Sequence, residues 1–511
     1  MSKVLTALAV TAVFGMTVTA AIAAPSDGDL AQIRDQIRQM KDEYEARMRA
    51  LEQRLQDAEA RGSASVAVTS TGAGTAASTS AAVSTGASVS TGAAASQTAS
   101  APSGLTANTV PASVPASTAT GPNAFNPAMS LILGGSYARL SQDPSQYRIQ
   151  GFVPGGESGP GTRNFNLGES ELTLSASIDH RFFGQLTFSL GSNNEASVEE
   201  GFFRTQGLAS GVNVTAGRFL SGIGYLNSQH AHAWDFVDLP LAYQAFLGGQ
   251  YRNDGLRATW LAPLDQFVEL GIEAGRGGGF PGNERSTNGL NAAAAFARIG
   301  DDWGESTSWR AGVSYLRTHA ADRRYDDIDR DGNAVVNAFT GKSAIWIADG
   351  IFKWSPNGNA TQTNLKLQGE YFRRGERGTL DYDSTSLTTS PTTPIARAAL
   401  SARYDSTQSG FYVQGVYQFM PQWRAGLRFD KLYAGTLRYG LLDDASLSGA
   451  DLSRLLSYNP SRATAMLDWS PSEFSRLRVQ VARDQSRPGV TDNQLFIQYI
   501  MSMGAHGAHA F

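Results

Sequence analysis

At 511 residues, 41% of them hydrophobic, and with a formal net charge of −4, the chain is long enough for several soluble domains or one large barrel. A mean hydropathy of −0.24 excludes a bundle of apolar membrane helices, and the near balance of charge leaves no electrostatic footprint for nucleic acid. With no cysteine, a disulfide framework and thiolate metal sites are excluded as well.

The chain opens with Lys3, an apolar run from Val4 to Val18 and the small-residue site Ala21-Ile22-Ala23. That pattern predicts a signal peptide over 1–23 and export of the remainder. Residues 24–61 follow as a predicted coiled coil. Leu30, Ile33, Ile37, Met40, Tyr44, Met48, Leu51, Leu55 and Ala58 recur at steps of three and four, with one stutter at Tyr44 to Met48. So narrow an apolar seam suits copies of itself better than a globular core. Residues 62–127 are an uncharged Ala/Ser/Thr-rich stretch in which STGA recurs at Ser70, Ser84 and Ser90. Such a composition cannot bury a core and predicts a disordered linker.

Residues 128–511 read differently. Sixteen segments of roughly ten residues alternate with period two, the signature of strands that are apolar on one face. In WRAGLRFDKLY (Trp423–Tyr433), Leu427, Phe429 and Tyr433 alternate with Arg428 and Asp430. The connections also alternate. Short turns such as Ser355–Thr361 and Met420–Gln422 take turns with long polar stretches such as Leu220–Gly249, Thr318–Gly341 and Arg374–Ser409. The predicted fold is a transmembrane antiparallel β-barrel of about 16 strands, preceded by a coiled-coil helix and a disordered linker. Charged residues on the faces opposite the apolar ones then line a water-filled lumen, because an unpaired charge is costly in a dry core. The candidate pore-lining residues are Arg257, Glu269, Glu273, Arg310, Lys353, Lys366, Glu370, Arg424, Arg428, Asp430, Arg476 and Arg478. With Asp468 the set holds eight basic and five acidic side chains, a lean toward anions.

Within Leu220–Gly249 the motif HAHAWDFVD places His230, His232, Asp235 and Asp238 close together. The H-x-H pair is a zinc donor set, although spacing fixes no third ligand. His506 and His509 form a second histidine pair near the end of the chain. DIDRDGN, from Asp327, matches the first half of a calcium loop but has Ala338 where the bidentate glutamate belongs, so it reads as an acidic external loop. No nucleophile elbow, HExxH or phosphate-binding loop occurs, and an enzyme is not expected.

Several stretches carry a resemblance: AFNPAMSLIL, LPLAYQAFLGGQYRNDGLRATWLAP, IWIADGIFKWSPNGN, YDSTQSGFYVQGVYQFMPQWRAGLR, SPSEFSRLRVQ and SRPGVTDNQLFIQYIMSMGAHGAHAF. Together they resemble Gram-negative outer-membrane proteins labelled zinc-regulated or TonB-dependent receptor-like. The N-terminal coiled coil also resembles the layout of trimeric sugar and phosphate porins. A TonB-dependent receptor resembles a larger barrel with a folded plug, which the uncharged linker cannot supply. The resemblance therefore implies a porin-like channel for passive passage of small hydrophilic solutes or ions, placed in the cell outer membrane with its coiled coil in the periplasm. It implies partners in outer-membrane lipid, lipopolysaccharide, the barrel assembly machinery and two further copies of the chain. No cofactor is required. The loop holding His230, His232, Asp235 and Asp238 resembles the constriction loop of sixteen-strand porins. A link to zinc would make His230, His232, His506 and His509 the candidate metal ligands. Phe511 resembles the terminal aromatic of such barrels. The alternatives are a receptor or uptake protein linked to zinc, and an envelope-tethering structural protein.

Overall fold

Along WRAGLRFDKLY the outward positions Leu427, Phe429 and Tyr433 are exposed, and Arg428 and Asp430 between them are buried. A strand of this kind must satisfy its backbone on both edges, and a closed sheet does that without leaving a free edge. The computed structural model describes residues 127–504, apart from 154, 157, 192–194, 384–399 and 444–446. The expected signal peptide and coiled coil, the linker up to residue 126, and the tail with His506, His509 and Phe511 lie outside the described residues.

The first strands are β1 (Ala128–Leu140), β2 (Asn164–Leu167), β3 (Ser170–Ser177), β4 (Phe182–Leu190), β5 (Ala196–Thr205), β6 (Val212–Leu220), β7 (Arg252–Leu261), β8 (Phe267–Gly275) and β9 (Ala292–Trp303). Then come β10 (Thr307–Ile328), β11 (Ala334–Trp354), β12 (Asn364–Asp383), β13 (Leu400–Met420), β14 (Trp423–Tyr439), β15 (Ser461–Ser472), β16 (Ser475–Arg487) and β17 (Val490–Gly504). From β3 onward each pairs antiparallel with the next in the chain, and β1 closes the sheet against β17 from Ser130 opposite Gly504 to Leu140 opposite Gln494. Both β2 and β3 pair with β1, Leu167 opposite Gly135 and Glu171 opposite Ile132. They are one stave interrupted at residues 168–169, where a Cβ at Gly134 would meet the Glu169 carbonyl oxygen at 2.6 Å. The result is a closed antiparallel barrel of 16 staves, as the alternation predicts.

All sixteen expected strands fall on staves, but the staves are not equal. Strands β3 to β8 have eight to ten residues, whereas β10 to β13 have 20 to 22. Much of Thr318–Gly341 and Arg374–Ser409, expected as loops, is therefore strand. The reason is physical: the far ends of these hairpins carry no apolar outer stripe, so segments such as ADRRYDDI lose the alternation that marks a strand facing lipid.

The interior is the larger departure. Residues 221–251, between β6 and β7, fold inside the barrel and carry helix α1 (Leu241–Leu247). All seven residues of α1 are buried, and six of them, all but Gln244, form one apolar cluster with Leu316, Ile345, Ile347, Phe372, Tyr412 and Leu432 of the wall. A second cluster joins Tyr325, Phe339, Leu380 and Tyr404 near the loop-side ends of the long staves to Leu441, Leu447, Leu452 and Leu455 of the β14–β15 connection.

Candidate functional site

Polar side chains of the wall hold the inserted segment almost all the way round. At its start, Glu273 on β8 accepts from the Ser221 hydroxyl at 2.6 Å and from the Gly222 amide at 2.8 Å. Arg298 on β9 donates to the carbonyls of Gly222 and Gly224 and pairs with Glu269 at 2.7 Å. On β12, Glu370 accepts from the Tyr225 and Leu226 amides at 3.0 and 3.1 Å and from the Tyr243 hydroxyl at 3.0 Å. Tyr412 on β13 donates to the same carboxylate at 2.7 Å.

The acidic residues of the segment meet bases of the opposite wall. Asp235 pairs with Lys366 at 2.9 Å and Arg424 at 3.3 Å, and Asp238 pairs with Arg428 at 2.8 Å. Asp430 accepts from the Leu241 amide at 2.9 Å, which satisfies one of the free donors at the start of α1. Arg374 donates to the Ala245 carbonyl at 3.1 Å, Arg476 to that of His232, and Arg478 to that of Trp234 at 2.8 Å. The helix ends at Gly248, whose φ of 67° suits glycine and brings it against Gly155 of the β1–β2 connection.

The twelve candidate lining residues thus lie on the interior face. Arg257 donates to the Leu220 carbonyl at 3.0 Å, Arg310 stacks over the Tyr225 ring, and Lys353 lies opposite Lys366 in the β11–β12 register. Their surroundings, however, are not the water-filled lumen expected from sequence. Asp430 and Asp468 are 0% exposed and Arg478 1%. Desolvation does not exclude these charges because they are paired: Asp468 receives Arg478 at 2.7 Å as well as Arg424. The wetter members are half-buried: Arg257 on β7 and, near the short turns, Arg310, Lys353, Lys366, Arg424 and Arg476.

The segment's own titratable groups follow the same logic. Burial would raise the Asp235 carboxyl, but Lys366 and Arg424 override it and hold it below the ordinary value of 3.8. Burial acts likewise on Asp238, and Arg462 and Arg428 bring its carboxyl down. At His230 burial opposes the imidazolium, yet Glu171, Glu199 and Glu200 raise its pKa well above the ordinary 6.5.

His230 and His232 are brought to carboxylates that sequence reading passed over. Glu171 is on β3, and Glu199 and Glu200 are adjacent on β5. Adjacent strand residues normally face opposite ways, but Thr187 pairs with Glu200 and Phe188 with Val198, so Glu199 is the extra residue of a bulge. Both glutamates are consequently buried against His230. The signal in the sequence was the Glu199-Glu200 pair itself, which breaks the alternation of its strand. Arg298, Arg374 and Arg462 were also missed as anchors. DIDRDGN caps the β10–β11 hairpin: Asp329 accepts from the Asp331 and Asn333 amides at 2.9 and 2.8 Å, and Asp327 from the Ser453 hydroxyl at 2.6 Å.

No family model matches the chain. Among solved structures it is similar to a loop L8 deletion mutant of OmpT, an outer membrane protein of Vibrio cholerae, at 10% identity and TM-score 0.44, covering 74% of this chain and 99% of that one. It is similar to the outer membrane channel DcaP of Acinetobacter baumannii at 12% identity and TM-score 0.41, covering 74% and 97%. The anion-selective porin from Comamonas acidovorans is similar at 10% identity and TM-score 0.42, covering 74% and 99%. In sequence, an uncharacterized protein of Aquifex aeolicus (strain VF5) is 30% identical over 413 residues, 76% of this chain and 80% of that protein. With that identity over most of both chains, this chain belongs to the same family as the Aquifex aeolicus protein.

Proposed function

We propose that the chain is a porin-like channel of the outer membrane, passing small hydrophilic solutes or ions, with residues 221–251 as its constriction. The observation that carries this reading is the pairing of an apolar exterior with a charged interior whose charges are spent on the inserted segment. A permanently filled barrel does not need them: replacing a buried ion pair by apolar residues of similar volume is often neutral or stabilising. Charges kept on the wall are of use if the segment shifts and they meet water. In that reading Arg257, Glu269, Glu273, Glu370, Arg428, Asp430 and Arg478 line the passage. The basic residues of the turn-side vestibule, Arg310, Lys353, Lys366, Arg424 and Arg476, favour anions there.

The proposal extends to the envelope. Three copies associate through the short staves β3 to β5, where Phe182, Phe188 and Phe203 are exposed. The long staves rise above the hydrocarbon toward lipopolysaccharide, and the N-terminal coiled coil stands in the periplasm. No reaction is assigned to the protein.

A second reading, a barrel that only anchors the coiled coil in the envelope, is favoured by the packed interior. Planar bilayer recording of the full chain separates the two. Wild type should give small, infrequent steps. The D235N/D238N variant, with two latches loosened, should give larger and more frequent ones, and reversal potentials should favour anions. Folded, inserted barrels that stay silent in both forms would leave the anchoring reading standing.

A further inference from the structure

The histidine–glutamate cluster differs from the ion pairs described above. Asp235 and Asp238 meet lysine or arginine, and so do Asp468 and Glu269 on the wall. Glu171 and Glu199 are as deeply buried as these, each 2% exposed, but their partners are imidazoles. An imidazole can surrender its proton and bind a metal ion, which a guanidinium cannot.

We propose that Glu171, Glu199 and His230 form a divalent-metal site of the zinc class, with His232 as an adjoining donor, which fastens the inserted segment to β3 and β5. Nδ1 of His230 lies 3.2 Å from Oε2 of Glu171 and 3.2 Å from Oε2 of Glu199. One ligand atom from each residue falls within 4.8 Å of the others. A tetrahedral zinc ion with bonds of about 2.0–2.2 Å sets neighbouring donors roughly 3.3–3.6 Å apart, so the ion enters with a small outward shift.

The surroundings are those of a prepared ligand set. Oε2 of Glu200 lies 3.2 Å from Nε2 of His230, on the ring edge away from Glu171 and Glu199. A carboxylate there accepts a hydrogen bond from Nε2–H and so favours the tautomer whose Nδ1 is bare toward the ion, the arrangement usual behind metal-bound histidine. Glu200 is itself held by the Leu220 amide at 3.0 Å and the Gln185 amide group at 3.2 Å. His232 Nδ1 lies 3.0 Å from the other oxygen of Glu171, and the two imidazoles stack with centroids 5.7 Å apart. The bulge at Glu199 gives the site a second carboxylate from one strand. Imidazole mixed with carboxylate suits zinc and its first-row neighbours, whereas calcium takes six to eight oxygens. The ligands come from two staves and the segment, so an occupied site restrains the segment whether or not the barrel conducts.

The test uses the full chain, folded in detergent and stripped with chelator, titrated with Zn²⁺ alone by calorimetry and with Co²⁺ by absorbance. One ion per chain should bind, and Co²⁺ should give the intense visible bands of a tetrahedral site. E171Q/E199Q should abolish that binding, and H230A should weaken it at least about tenfold. E200Q, which leaves the donors in place, should weaken it about 10- to 100-fold at unchanged stoichiometry. H506A/H509A should bind like wild type. Heat-modifiable gel mobility reports whether each variant folds. If folded E171Q/E199Q retains wild-type affinity and the Co²⁺ bands, or if the ion is lost with H506A/H509A instead, the proposal is overturned.

Discussion

The carboxylate of Asp238, on the inserted segment, lies 2.6 Å from the guanidinium of Arg462 on β15. The same carboxylate also holds Arg428, so one short side chain bridges two arginines that are 2 and 3% exposed, and Asp430 pairs with both at 3.1 and 3.6 Å. Removing it in D238A leaves the two buried guanidiniums to share Asp430 and should cost about 1–3 kcal/mol. Thermal unfolding in detergent should show a correspondingly lower transition, while the β-sheet dichroism of the folded state is retained. An unchanged transition would mean that the pairing is solvated and contributes little.

Glu370 gathers two backbone amides and two tyrosine hydroxyls around one carboxylate. Substitution E370L leaves those donors buried without an acceptor, at about 1–3 kcal/mol for each group left unmade. Hydrogen exchange should rise at Tyr225 and Leu226 but stay slow in the strands β15 to β17, because the loss is local to the segment. Uniform loss of protection would instead mark the segment as part of the barrel's global fold.

The outer face makes a prediction of opposite character. Leu427 is 69% exposed, and on a soluble protein L427R would be nearly neutral. If that face meets hydrocarbon, the arginine should cost about 2–4 kcal/mol near the bilayer midplane. Folding yield into lipid vesicles should fall accordingly, with far less change in detergent micelles, where head groups are within reach. Equal yields in vesicles would remove the assignment of this face to lipid.

Gly248 ends α1 with φ at 67°, and a Cβ there would meet Gly155 Cα at 2.8 Å. G248A therefore combines backbone strain with a backbone clash that no rotamer relieves. The expected result is looser docking of α1, read as a lower thermal transition by several degrees and faster exchange at Tyr243 to Leu247. Wild-type exchange rates there would show that the crossing with Gly155 is dispensable.

Acid should release the segment late. Asp235 and Asp238 are held below their ordinary 3.8. A carboxyl lowered by folding contributes stability that is complete above its unfolded pKa and is lost only as pH falls through the folded one. Latching by these two residues should persist from pH 8 to about 4 and fail below that. Because the chain has no cysteine, A233C takes a single nitroxide, whose line shape reports motion of the segment. Sharpening between pH 6 and 5 would show that these two pairs do not hold it.

How far the sequence carries can be judged at particular residues. Leu427, Arg428, Phe429 and Asp430 declare their faces unaided, since a strand has a period of two and the two faces meet different surroundings. LPLAYQAFLG was harder: a segment apolar all round belongs in an interior, yet at this length it does not announce a helix, and no local rule says that the interior is that of the barrel itself. Nor could H-x-H find its carboxylates, which lie 31 and 61 residues away from their histidines.

The residues alone determined the barrel and its stave number, because pairing in a closed antiparallel sheet is local and periodic. Only the tertiary structure decided what those inward charges do. They grip a segment of the same chain instead of facing open water, because ion pairs and buried apolar contacts between residues far apart in sequence form only once the wall has closed around it.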